Sequence, residues 1–379
     1  MYTLTNQVNL LLKDKIAIPE SQPFGVIVRC ADICNYDCKY CYSKPENLFG
    51  LMTGEVARQI IRKVAAYIKE GRKLHFVWHG GEPLLAGVEF FQAVTSECKK
   101  LSEFEIENSI QTNGLLLTQE IIDFCKAERI AISTSIDGPM EIHNMNRRDK
   151  KGRGTFDNTM AAISLLQNNG IKVHCVTVLH RHSIQKIREI YDFFRDNGIS
   201  FRVNPVVKIK DGANSYNELA ISPKEYGDAM CELFDWWYDE DPSIRIEPFH
   251  TIIGNFMDTQ VWGCDFHGQC LKSIISINPN GDIFPCGRFT NENEFKLGNI
   301  LDCQSLDQVF AGALYKKLCA RDASTLEGCS ECLYGTICNG GCMVTGYMAR
   351  GEIGDRDYYC AGRKQIFRHI SERLINEFT

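Results

Sequence analysis

The stretch FGVIVRCADICNYDCKYC, Phe24 to Cys41, decides the reading of this chain. Its opening FGVIVRC is rich in β-branched and aromatic residues and reads as a strand. The loop after it places Cys34, Cys38 and Cys41 at C-x3-C-x2-C. Three close thiolates suit an iron–sulfur cube, because soft sulfur ligands select iron–sulfur clusters or zinc. Three protein ligands also leave a fourth iron open to a non-protein ligand. A zinc knot is the other use of the same residues.

Outward from this stretch, β-rich runs alternate with amphipathic helical ones as far as Asp239, the pattern of βα units around a parallel sheet. Six strands are expected: Phe24 to Cys30, Leu74 to Trp78, Ile106 to Gln111, Ile130 to Ile136, Ile171 to Leu179 and Phe201 to Val207. Ser183 is expected to cap a helix whose apolar face holds Ile184, Ile187, Tyr191 and Phe194. Ser222, Pro223 and Glu225 form a capping box with proline at the first helical position. Six units are two short of an eight-stranded barrel, so the expected fold is α/β, a partial (β/α)6 TIM-like barrel. Sites in such folds lie at the C-terminal ends of the strands.

The composition sets bounds on function. A net charge of -6 argues against a general nucleic-acid binder. No apolar run reaches membrane-spanning length and the N-terminus lacks signal-peptide features, so a soluble cytoplasmic protein without a membrane partner is expected. In a reducing compartment 18 cysteines suggest metal ligation before disulfides. Ten of them fall between Gly263 and Cys360, where strand and helix signals are short. There Cys329, Cys332, Cys338 and Cys342 are spaced C-x2-C-x5-C-x3-C, and Cys264, Cys270 and Cys286 precede them. An amphipathic helix closes the chain from Lys364 to Phe378. The expected organisation is an N-terminal segment over 1–22, a barrel over 23–240, and a cysteine-rich domain with a C-terminal helix over 241–379.

The C-x3-C-x2-C loop, with Tyr42 after it, resembles the signature of the radical S-adenosylmethionine (SAM) superfamily. The resemblance runs from about residue 23 to 372. It implies that Cys34, Cys38 and Cys41 hold a 4Fe–4S cluster whose open iron chelates SAM, and that the cofactor yields a 5'-deoxyadenosyl radical. HGGEP (His79–Pro83) resembles the family's GGEP loop, whose backbone meets the methionine amino group. The residues implied to contact the cofactor are Tyr40, Gly80, Gly81, Glu82, Gln111, Asn113, Ser135 and Arg147, the arginine fork suiting a carboxylate. The downstream cysteines resemble the SPASM extension with two auxiliary 4Fe–4S clusters. By that resemblance one cluster takes Cys264, Cys270, Cys286 and Cys342, and the other Cys329, Cys332, Cys338 and Cys360. The remaining cysteines, Cys30, Cys98, Cys125, Cys175, Cys231, Cys303 and Cys319, are expected to pack as small hydrophobes.

Within the superfamily the chain resembles peptide maturases and anaerobic sulfatase-maturating enzymes. Sulfatase maturases carry an aspartate after the third ligand of the first auxiliary cluster, taken to accept a proton. Here that position is Gly287, which can do no acid–base work. His79 stands where glutamine is common in sulfatase maturases and histidine occurs in crosslinking relatives. The expected function is therefore a peptide maturase that abstracts hydrogen from a precursor side chain and forms a carbon–carbon or carbon–heteroatom crosslink. The alternatives are oxidation of Cys or Ser to formylglycine and, in another class, a non-catalytic zinc or iron–sulfur protein. The partners implied are a precursor peptide or protein and an external electron donor of flavodoxin or ferredoxin type. With about 22 residues before the first strand, no leader-recognition domain is expected there. Asp265, His267 and Arg288, near the cysteines, are the candidates for a catalytic group.

Overall fold

The computed structural model describes residues 23–43, 49–68, 72–210, 214–257, 261 and 263–376. The segment expected over 1–22 lies outside the described residues, as do 377–379. Seven strands run parallel in chain order: β1 (Phe24–Ala31), β2 (Leu74–Gly80), β3 (Ile106–Gln111), β4 (Ala131–Ser135), β5 (His174–Leu179), β6 (Ser200–Pro205) and β7 (Ile246–Glu247). The first six are the strands read from the sequence. The largest shift in their ends is at β5, where Ile171, Lys172 and Val173 stay outside the strand. The two-residue β7 was not expected, since so short a run carries no period.

Three further strands extend the other edge. β8 (Ile274–Ile277) pairs parallel to β1, with Val26 opposite Ile275. β9 (Asp282–Phe284) turns back antiparallel to β8, and β10 (Gly298–Asn299) follows antiparallel to β9. The sheet order is β10-β9-β8-β1-β2-β3-β4-β5-β6-β7. Neighbours on both sides leave β1 inside the sheet, which is why Phe24, Val26, Val28, Cys30 and Ala31 are buried. The cysteine-rich region thus shares the barrel's backbone ladder, and the sheet crosses the sequence division at residue 240.

Local rules account for the helices. α1 (Gly54–Tyr67) starts where the Thr53 hydroxyl accepts the Val56 N–H at 3.3 Å, and it buries Ala57, Ile60, Ile61 and Val64. α2 (Ile187–Asp196) corrects one expectation, because Ser183 does not cap it. The Ser183 hydroxyl instead accepts the His180 N–H at 3.0 Å and donates to the His180 carbonyl at 3.1 Å, and a 3-10 turn over Ile184–Lys186 intervenes. The capping box at Ser222 and Glu225 is present at the start of α3 (Pro223–Glu240). α4 (Cys360–Asn376) packs along α3, where a Cβ on Gly362 would lie 2.1 Å from the Pro223 carbonyl oxygen. That contact, with Gln365 donating to Asp228 at 2.9 Å, returns the chain's end to the barrel.

Candidate functional site

The loop carrying Cys34, Cys38 and Cys41 follows β1 and lies against the HGGEP loop after β2. Gly81 N–H donates to the Ala31 carbonyl at 2.7 Å and Glu82 N–H to the Ile33 carbonyl at 2.9 Å. A Cβ on Gly80 would sit 2.2 Å from the Ala31 oxygen, and one on Gly81 2.2 Å from the Ile33 oxygen. The close approach that these glycines permit is therefore between the two loops. Glu82, expected among the cofactor contacts, is fully buried and braces the loops around it. Its carboxylate accepts the Thr112 hydroxyl at 2.6 Å, the Asn113 N–H at 2.8 Å and the Leu84 N–H at 3.1 Å. Burial raises its pKa and those three bonds oppose the shift. Asn113 then reaches back, its amide nitrogen 2.6 Å from Asn35 Oδ1 and 3.7 Å from Cys34 Sγ.

Under the same loop lies a buried triad. The Tyr40 hydroxyl donates to Asp137, and Arg147 Nε lies 3.1 Å from Asp137 Oδ2. The Arg147 guanidinium stands 5.5 Å from the Tyr40 ring centre. Arg147 was expected to present its fork to a cofactor carboxylate, but its Nε edge is already taken by Asp137. Ser135 and Gln111 meet at the ends of β4 and β3, Gln111 Nε2 donating to Ser135 Oγ at 3.0 Å. Asp137 was missed in SIDGP, although a buried cation at Arg147 requires an anion near it. Burial pushes the Cys34 thiol up to about 11 and Cys38 to about 12, with nearby Arg147 opposing the shift at Cys38.

The downstream cysteines gather in two groups. Cys264, Cys270, Cys286 and Cys342 lie close enough for their charges to interact. Cys329, Cys332, Cys338 and Cys360 line one cavity together with Tyr334 and Asp357. Burial pushes Cys264 and Cys338 up to about 12 and Cys342 to about 11. Thiols held neutral in this way ionise when a cationic metal centre binds, so the donor sets suit metal–sulfur chemistry. Among the described residues no three Cys, His, Asp or Glu side chains form a site for a single metal ion. Of the remaining cysteines, Cys30, Cys125, Cys175 and Cys231 are buried, and Cys98, Cys303 and Cys319 are half-buried.

Between the three-cysteine loop and Cys286 lies a cluster of polar side chains around Arg288. The side chains of Tyr42, Arg202 and Cys264 keep solvent-accessible surface. Arg288 stands within electrostatic reach of Cys342, Asp265, Tyr42 and Cys286. Tyr216 faces Arg288, Cys41 and Tyr42. Asp265 is paired with Arg202 at 2.7 Å and Arg363 at 3.8 Å, and these cations hold its carboxyl below the usual range despite burial. An acid so paired is a weak proton acceptor. The charged neighbours of His267 are Arg72 and Lys272, so it does not share the Arg202 and Arg288 surroundings. Of the three candidates, Asp265 and Arg288 are brought together. Arg202 and Tyr216 were missed because nothing in their local sequence marks them.

Comparison with known proteins follows this geometry. A model of the radical SAM superfamily matches residues 28–194, and a model of the SPASM iron–sulfur cluster-binding domain matches 264–333. A cysteine-type anaerobic sulfatase-maturating enzyme of Clostridium perfringens is 26% identical over 93% of this chain and 98% of its own. A serine-type anaerobic sulfatase-maturating enzyme of Bacteroides thetaiotaomicron is 29% identical over 93% of this chain and 91% of its own. A solved structure of native anSMEcpe with bound AdoMet and Cp18Cys peptide superposes with a TM-score of 0.84 at 25% identity, covering 93% of this chain and 98% of that one.

Proposed function

This chain belongs to the radical SAM superfamily and carries a SPASM domain, and from that premise we propose that it oxidises a Cys or Ser side chain of a protein substrate to formylglycine. The observation that carries this reading is the nearly end-to-end likeness to a sulfatase maturase holding both AdoMet and a peptide. It moves the weight from peptide crosslinking, the function expected from sequence, to what was there the alternative. The enzyme is an oxidoreductase of a peptide or protein side chain that uses SAM and iron–sulfur clusters.

We assign Cys34, Cys38 and Cys41 to the SAM-binding cluster, Cys264, Cys270, Cys286 and Cys342 to the first auxiliary cluster, and Cys329, Cys332, Cys338 and Cys360 to the second. Bound there, the cofactors supply a 5'-deoxyadenosyl radical to take hydrogen and a sink for the surplus electron. The chain's own residues orient and enclose. Glu82 locks the second loop to the third, Asn113 holds the Cys34 turn, and the Tyr40, Asp137 and Arg147 triad supports Cys38 from below. Gln111 and Ser135 present a polar edge to the cofactor pocket. Arg288 and Arg202 make the substrate space cationic, balancing negative charge that thiolate-ligated clusters bring. A flavodoxin- or ferredoxin-type protein is the proposed source of electrons. Among the described residues no helix is long and apolar enough to cross a membrane.

One observation favours crosslinking as a second reading. Gly287 puts no carboxylate beside the substrate space, and the next side chain, Arg288, is a permanent cation. A single anaerobic incubation separates the two, using reconstituted protein, SAM, reductant and Cys- and Ser-bearing sulfatase peptides. Formylglycine appears as loss of two hydrogens at Ser, or exchange of hydrogen sulfide for oxygen at Cys, with matching 5'-deoxyadenosine. Abundant 5'-deoxyadenosine with both peptides unchanged would overturn the sulfatase reading and leave crosslinking.

A further inference from the structure

Arg29 is on β1, only 2% exposed, and its guanidinium reaches two segments far apart in sequence. Nη2 lies 3.2 Å from Asp32 Oδ1, at the entrance to the three-cysteine loop. Nη1 donates to Thr290 Oγ1 and lies 3.3 Å from Asn291 Oδ1. Asn291 in turn donates from Nδ2 to the Tyr42 carbonyl at 3.0 Å, at the exit of that loop. Thr290 donates its hydroxyl to the Gly287 carbonyl at 3.0 Å, beside Cys286. The circuit from Arg29 through Asp32, the cysteine loop, Tyr42 and Asn291 therefore closes on itself, with a branch through Thr290 to the Cys286 segment.

We propose that Arg29 is a positioning residue that fixes the three-cysteine loop relative to the Cys286 segment, so that hydrogen abstraction stays coupled to removal of the second electron. The proposal rests on the cluster assignment made above, while the clamp itself is read from the contacts. A guanidinium is suited to the task because its planar fork holds donors at fixed angles toward several acceptors, which a single ammonium cannot do. Burying a cation beside one carboxylate carries a desolvation cost. What it returns here is a shared reference point for residues about 260 positions apart in sequence. A shift of about 1 Å between reacting groups can cost on the order of a hundredfold in rate, so small slack in this joint has a large effect.

The test compares wild type with Arg29→Gln and Arg29→Lys, full-length and reconstituted, with iron and sulfide content measured on each. Hydrogen–deuterium exchange of the cluster-free proteins reads the clamp without any activity. Arg29→Gln is expected to raise exchange in both 32–43 and 286–292, leaving β3 to β6 protected. With the Cys-bearing sulfatase peptide, the ratio of 5'-deoxyadenosine to modified peptide is expected to rise several-fold. Arg29→Lys keeps the charge without the fork and carries the test if Arg29→Gln fails to fold; it should loosen the same two segments to a smaller degree. Unchanged exchange in 286–292, or parallel loss of both products at full cluster content, would overturn the proposal. Absence of 5'-deoxyadenosine from the wild type would sink the radical reading while the exchange result still judged the clamp.

Discussion

Glu82 accepts the Asn113 backbone N–H at 2.8 Å, joining the loop after β2 to the loop after β3 from inside the protein. With Thr112 and Leu84 also donating, this carboxylate has a partner for each acceptor edge it presents. Glu82→Gln replaces an acceptor oxygen by an N–H that faces donors. We expect a loss of about 1–3 kcal/mol in unfolding free energy, the cost of a buried polar group left unmatched. Urea titration of the cluster-free protein would measure it, and a change under about 0.5 kcal/mol, the range of a neutral surface substitution, would show that the brace is dispensable.

Removing Asp137 should be worse. Asp137→Asn strips from Arg147 its one ion-pair partner among the described residues, and from Tyr40 one acceptor. Breaking a buried pair on one side costs roughly 3–5 kcal/mol. The double variant Asp137→Asn with Arg147→Met should recover part of that loss, and a double-mutant cycle gives the coupling. Strict additivity of the two single effects would mean that the pair does not act as a unit.

Cys34→Ala, Cys38→Ala and Cys41→Ala are each expected to abolish formation of 5'-deoxyadenosine. Cys286→Ala or Cys342→Ala should leave some cofactor cleavage while stopping modified peptide. Full cleavage in any one of the first three would count against the assignment of that loop.

Gly287 has ordinary backbone geometry and room for a side chain, since an added Cβ would meet Ile27 at 3.5 Å. Gly287→Asp should therefore fold and place a carboxylate next to Arg288. If formylglycine formation here is slowed by want of a base, its rate should rise, with roughly a hundredfold being what a well-placed base supplies. A fall in rate would indicate that the cationic space, not a base, is what the substrate needs.

Stability should also fall on acidification through His143. Burial lowers its pKa to about 3, with Asp137 opposing and Arg147 adding to the shift. Its Nδ1 accepts the Asp137 N–H at 3.4 Å and its Nε2 meets Thr155 Oγ1 at 3.0 Å, an arrangement that requires the neutral ring. The folded state thus binds fewer protons than the unfolded state between pH about 3 and the ordinary histidine value near 6.5. Stability rises with pH across that window, by at most about 1.4 kcal/mol per unit from this residue, and levels off above it. His143→Gln should flatten the slope of unfolding free energy between pH 4.5 and 6.5, roughly the upper part of the window. An unchanged slope would place the acid sensitivity elsewhere.

The sequence by itself determined what is local. β-Branched runs marked six strands, Ser222 and Glu225 marked a helix start, and the spacing of Cys34, Cys38 and Cys41 marked a candidate metal–sulfur loop, because strand propensity, capping and ligand reach act over a few residues. The GG pair was also visible, but its reason was not: the backbone it must clear belongs to a loop nearly fifty residues earlier. Only the tertiary structure decided that β8 continues the barrel sheet through β1, since parallel pairing leaves no turn signal in the chain. It alone set Asp137 against Arg147, made Glu82 a brace, and paired Asp265 with Arg202. It also brought Arg29 to Thr290 and Asn291 across more than 250 positions. Contacts at that separation depend on how the crossovers stack, and no periodicity in the chain encodes them.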